Sequence, residues 1–138
     1  MGVPPQLVLA IREQFKADCF VETGTFQGVT AIWAGKNFPT VVTIEASGQL
    51  HAQAVANFSH HKNIRFLLGN SPAVLRQIVP TLPPRTIYWL DAHWSGGVTA
   101  GQENECPLLD EIRAIDSPEA FILIDDARLF LAPPPLPH

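Results

Sequence analysis

The chain has 138 residues, 46% of them apolar and 16% charged, with a formal net charge of −4. That length fits one domain, able to bury roughly 70% of its extended-chain surface. The acidic balance, without a long basic run, argues against a nucleic-acid groove, and no apolar stretch approaches the ~20 residues that span a bilayer.

In chain order, "PQLVLAIREQF" places Leu7, Val8, Ile11 and Phe15 at helical spacing. "CFVE" (19–22) reads as a short strand, and "GVTAIWAGKN" (28–37) as a helix. "TVVTIE" (40–45) is β-branched and predicts a strand. "SGQLHAQAVANF" (47–58) predicts a helix with Ser47 as N-cap. "IRFLL" (64–68) predicts a strand, and "SPAVLRQIV" (71–79) a helix with Pro72 in its first turn. "TIYWL" (86–90), "CPLLDEIRAI" (106–115) and "AFILI" (120–124) continue as strand, helix and strand. The closing "LAPPPLPH" can neither extend a helix nor join a central strand. Residues 1–132 are therefore expected as one domain and 133–138 as a proline-rich tail.

The strands are continuous apolar runs, as in a parallel sheet covered on both faces. Their alternation with helices predicts an α/β fold, a doubly wound, Rossmann-like, mostly parallel sheet of about five strands with helices on both faces. Such sheets bind ligands outside the carboxyl ends of their strands. Here those ends carry Glu22, Glu45, Asn70, Asp91 and the pair Asp125 and Asp126. Loops are often polar, so any one of these is unremarkable; five in succession point to a site.

After the first strand, "VETGTFQG" supplies Gly24 and Gly28, which let the backbone bend sharply and approach a ligand. The helix behind them offers N–H groups to an anion, while Glu22 suits a cation. A ligand with both an ammonium and a carboxylate fits the pair. The dinucleotide fingerprint fails, because Phe26 and Val29 stand where its later glycines would fall, and a phosphate-loop lysine is lacking. Glu45, about 20 residues beyond the loop, is where a nucleoside-binding α/β unit needs an acid.

The stretches "VETGTFQG", "VVTIEAS", "LLGNS", "YWLDAHWSGG" and "ILIDD", in this order over roughly residues 17–126, resemble the class I S-adenosylmethionine-dependent methyltransferases. The resemblance implies S-adenosylmethionine (SAM) as cofactor, held by Glu22, Thr23, Gly24, Thr25 and Gly28 at its amino-acid end. It implies Glu45 on the ribose hydroxyls, and Asn70 and Ser71 near the adenine. Asn70 stands where the family often has aspartate, and capping the following helix is an equal reading of it. Gly28 is also explained by close helix–sheet packing.

Asp91, Asp125 and Asp126 resemble the metal-dependent O-methyltransferase branch. Three carboxylates in one crevice repel unless a hard cation such as Mg²⁺ neutralises them. That cation would also lower the pKa of a substrate hydroxyl. Alternatively, Asp91 bonds substrate directly and one of the later pair caps a segment or pairs with Arg128. His93 is a candidate general base or ligand, with Asp91 as its catalytic companion; a loop histidine bonded to a backbone carbonyl is an equal reading.

The expected activity is methyl transfer to a hydroxyl of a small-molecule acceptor. Two alternatives stand: a non-catalytic nucleoside-binding or assembly domain of the same fold, and a metal-dependent hydrolase. The family's sheet usually has seven strands, so either the chain is a fragment or a partner, in the simplest case a second copy, covers the open edge. Cys19 falls in an apolar run and Cys106 in a polar loop, which makes neither a disulfide framework nor a zinc signature. With no signal-peptide pattern at "MGVPPQ", a cytoplasmic location is expected.

Overall fold

The computed structural model describes residues 2–91 and 107–125. The order of elements is α1 (Pro5–Phe15), β1 (Cys19–Thr23), α2 (Val29–Asn37), β2 (Thr40–Glu45), α3 (Gly48–Phe58), β3 (Ile64–Leu68), α4 (Ser71–Ile78), β4 (Thr86–Leu90), α5 (Leu108–Ala114) and β5 (Phe121–Ile124). A single 3-10 turn, Val79–Thr81, follows α4. Cys106, His93, Asp126 and the proline tail lie outside the described residues.

The five strands form one parallel sheet in the order β3-β2-β1-β4-β5. β1 is central, pairing Cys19 with Thr40 on one side and Thr86 on the other. It is buried at every residue, as are the five residues of β4, which explains why both are continuous rather than alternating apolar runs. The predicted doubly wound α/β architecture is what forms.

Each face has its own core. Phe20, Val41, Ile87 and Trp89 pack with Val8 of α1 and with Ala31 and Ala34 of α2. Cys19, Val21, Val42, Tyr88 and Leu90 pack on the opposite face with Leu75 and Ile78 of α4 and Ala114 of α5. Cys19 is a buried core residue, as its apolar setting predicts.

The helix ends follow local chemistry. Ser47 Oγ accepts the Leu50 N–H at the start of α3, and Asn70 Oδ1 accepts the Ala73 N–H at the start of α4. Both satisfy amides that a helix leaves unpaired in its first turn. α2 differs: Gly28 is its N-cap and no side chain caps it. Because all strands run the same way, Thr23, Glu45, Asn70, Asp91 and Asp125 share one edge of the sheet. Among the described residues, no helix is long and apolar enough to cross a membrane.

Candidate functional site

The edge is built around the tip of β1. The ladder extends one residue beyond the predicted strand, so Glu22 lies within β1 and Thr23 ends it. Successive residues of a strand face opposite sides. Glu22 and Thr23 therefore project to the two faces, each into a separate polar network.

Glu22 is 2% exposed. Its Oε1 accepts the Thr43 hydroxyl at 2.7 Å. Thr43 and Thr25 hydroxyl oxygens are 2.6 Å apart; since the Thr43 proton goes to Glu22, Thr25 donates to Thr43. Burial pushes the Glu22 carboxyl up to about 8, against the Thr43 hydrogen bond; the nearby Asp91 and Glu45 charges push the same way as burial, and a Thr30 hydrogen bond opposes. At neutral pH Glu22 is therefore largely protonated.

The loop after β1 is fixed by its neighbours. The Gly24 and Thr25 N–H groups both donate to the Ile44 carbonyl, at 2.8 and 3.3 Å, and Gly28 N–H donates to the Thr25 carbonyl at 2.8 Å. Gly24 (φ 85°) and Gly28 (φ 82°) occupy the left-handed region, where glycine avoids a steric cost. At Gly28 a Cβ would also lie 2.9 Å from the Phe58 ring, so close packing and backbone conformation both demand glycine. Phe26 adopts φ 50° without that freedom, and its side chain is 60% exposed.

Glu45 locks this loop to the next one. Its Oε2 accepts the Phe26 N–H and its Oε1 the Ser47 N–H, each at 2.9 Å. The carboxylate is buried yet ends its strand at the sheet edge. The amides of Gly24, Thr25, Phe26 and Gly28 are thus spent inside the protein. A ligand carboxylate would have to use the first turn of α2, which no side chain caps.

On the other face, the Thr23 hydroxyl accepts the Asp91 N–H at 3.1 Å and hydrogen-bonds the carboxyl of Glu111. Ser71 Oγ donates to Glu111 Oε1 at 2.5 Å. Glu111 is 1% exposed; burial raises its pKa, opposed by the hydrogen bonds from Ser71 and Thr23. Glu111 has no place in the expected site. One sequence signal marks it: Leu108, Glu111, Ile112 and Ile115 fall at i, i+3, i+4 and i+7, so this acid fills one position of an apolar stripe.

Of the remaining expected residues, Asn70 is exposed and its side-chain oxygen caps α4, while Ser71 is buried against Glu111. Asp91 and Asp125 follow adjacent strands, and the Asp125 N–H donates to the Leu90 carbonyl at 3.1 Å. Among the described residues, no group of three or more His, Cys, Asp or Glu is placed to hold a metal ion. The expected trio includes Asp126, and the expected base is His93; both lie outside the described residues.

No protein-family model matches the sequence, and a search of the curated proteins gives no match. Solved structures do match. The O-methyltransferase TomG from Streptomyces achromogenes, in complex with SAM, is 23% identical with a TM-score of 0.61, covering 100% of this chain and 63% of TomG. The methyltransferase PaMTH1 from Podospora anserina, bound to SAH, is 16% identical with a TM-score of 0.62, covering 91% of this chain and 53% of its own. The fold is that of the class I SAM-dependent methyltransferases. An O-methyltransferase from Bacillus cereus in complex with SAH has the same methyltransferase fold, with 20% identity, a TM-score of 0.57, and coverage of 83% and 53%. The chain spans little more than half the length of these three structures.

Proposed function

We propose that this chain binds SAM along the edge formed by β1 and β2 and serves methyl transfer to a hydroxyl of a small molecule. The observation that carries this reading is Glu45. It is a buried carboxylate fixed by two backbone N–H groups at the tip of β2, beside a left-handed glycine loop, on the ligand-binding edge of a parallel sheet. Each Glu45 oxygen retains acceptor capacity for a ribose hydroxyl. The first turn of α2 suits the cofactor carboxylate, and Glu22, Thr23, Gly24, Thr25 and Gly28 surround the amino-acid end. Glu22 gives up its proton when a cationic group arrives beside it. Asn70 and Ser71 mark the adenine end.

When bound, SAM supplies an electrophilic methyl on a sulfonium, and the chain's task is then to place an acceptor oxygen in line with it. Asp91 faces that end of the edge. Asp91 and Asp125 offer the oxygen ligands that a divalent cation such as Mg²⁺ prefers, with Asp126 as third member and His93 as the base. In this reading the protein works in the cytoplasm. Calorimetric titration with S-adenosylhomocysteine, with and without Mg²⁺, tests the proposal. Micromolar binding, at least tenfold weaker in Glu45→Ala, is expected. Well-folded protein that does not bind it would refute the reading.

A further inference from the structure

We propose that Glu111 is a positioning residue: from α5, and through the Thr23 hydroxyl, it fixes the backbone at Asp91 on the ligand-binding edge. Its importance for methyl transfer rests on the function proposed above; its action on Asp91 does not.

Residues from four parts of the fold are linked through this carboxyl and Thr23. Thr23 comes from the end of β1, Ser71 from the first residue of α4, Asp91 from the end of β4, and Glu111 from α5. Ser71 Oγ donates to Glu111 Oε1, the Thr23 hydroxyl bonds the same carboxyl, and the Asp91 N–H reaches Thr23 Oγ1 at 3.1 Å. The Asp91 N–H also lies 3.3 Å from the Thr23 carbonyl, the weaker of its two contacts.

Two other roles fit less well. A residue that touches ligand needs access to it, whereas Glu111 is 1% exposed and is engaged by two hydroxyls. A residue that only fills the core needs no carboxyl, because an apolar side chain of similar length avoids the cost of burying one. Leu109, the apolar neighbour two positions earlier, is 65% exposed. The helix therefore turns an acid inward and a leucine outward. A carboxyl has what this position requires, one oxygen to accept from Ser71 and a second to meet Thr23. A glutamine amide reproduces both.

The test uses hydrogen exchange of the Asp91 amide in the full chain, with calorimetric binding of S-adenosylhomocysteine measured on the same samples. In Glu111→Met, the Asp91 amide is expected to exchange at least tenfold faster, while the Val21 and Tyr88 amides in the sheet interior keep their protection. Glu111→Gln should restore the Asp91 amide to within about threefold of the unaltered chain. Thr23→Val should release Asp91 as Glu111→Met does. A general loosening would instead move Val21 and Tyr88 together with Asp91, and that result overturns the proposal. So does unchanged protection of Asp91 in Glu111→Met, or failure of Glu111→Gln to restore it. Binding by the unaltered chain separates the two claims: if it is absent while the exchange pattern holds, the cofactor reading falls and the hold on Asp91 remains.

Discussion

Glu22 and Glu111 flank the same strand tip from opposite faces, and their surroundings differ in kind. Both are buried and both are driven toward the neutral form by burial. Glu22 stands among acids: Asp91 and Glu45 both raise its pKa. Glu111 stands among hydroxyls: besides burial, the described residues that act on it are Ser71 and Thr23. An acid among acids responds when a cation arrives or a neighbour is neutralised. Both carboxyls are engaged by two hydroxyls, so it is the acids beside Glu22 that set the two apart, and Glu111 is the one suited to holding geometry. One edge thus combines a responsive carboxyl with an inert one.

The largest expected effect that sharpens this contrast concerns pH. In the native protein Glu22 keeps its proton up to about pH 8, against an ordinary carboxyl value of 4.5 in the unfolded chain. Between those values the folded state binds more protons, so stability falls as pH rises. The contribution is fully present below the unfolded value and is lost as pH climbs through the folded one. Glu22→Gln cannot lose a proton. Urea midpoints from pH 5 to 9 should show a flatter profile for this variant, with a gain at the alkaline end on the order of a few kcal/mol over the unaltered chain. Parallel profiles would show that Glu22 is ionised like an ordinary acid.

A smaller effect probes the Glu111 side, where α4 presents Ser71 to the carboxyl and Asn70 caps that helix. Asn70→Ala should cost about 1 kcal/mol in a denaturant titration. If it also weakens S-adenosylhomocysteine by tenfold or more, Asn70 touches the ligand as well as the helix; an unchanged affinity restricts it to capping. The smallest effect lies on the Glu22 side. Phe26 holds a left-handed conformation with its N–H bound to Glu45, which costs a side-chain residue roughly 1–2 kcal/mol. Phe26→Gly removes that cost but adds freedom to the unfolded chain. The net gain should be under about 1 kcal/mol, read as a small rise in melting temperature.

Much of this architecture was legible in the residues. The five strands and five helices fall where apolar runs and helical spacing predict them, to within one or two residues at their ends, because the parallel sheet buries whole strands and leaves a strong signal. The strand-end rule located Glu45, Asp91 and Asp125 on one edge. Glu22 was found at the end of the first strand, but sequence does not reveal that the ladder continues through Thr23 and leaves Glu22 inside it. Glu111 was missed for a different reason. A charged residue in an amphipathic helix is ordinarily solvated, and only packing against Thr23 and Ser71 turns this one inward. The amides of the glycine loop are consumed by Ile44, Thr25 and Glu45, through contacts set by tertiary approach that sequence does not show.

The pairing of β1 has a consequence for how the molecule comes into being. Cys19 pairs with Thr40 early in the chain but also with Thr86 far along it. Closing the second pairing brings together segments with two whole strands and three helices between them, an entropic cost paid before its contacts form. On the ribosome, at ~5–20 residues per second, the first strand made would wait several seconds with one side unpaired. The centre of the finished sheet is its oldest strand and among the last to be enclosed.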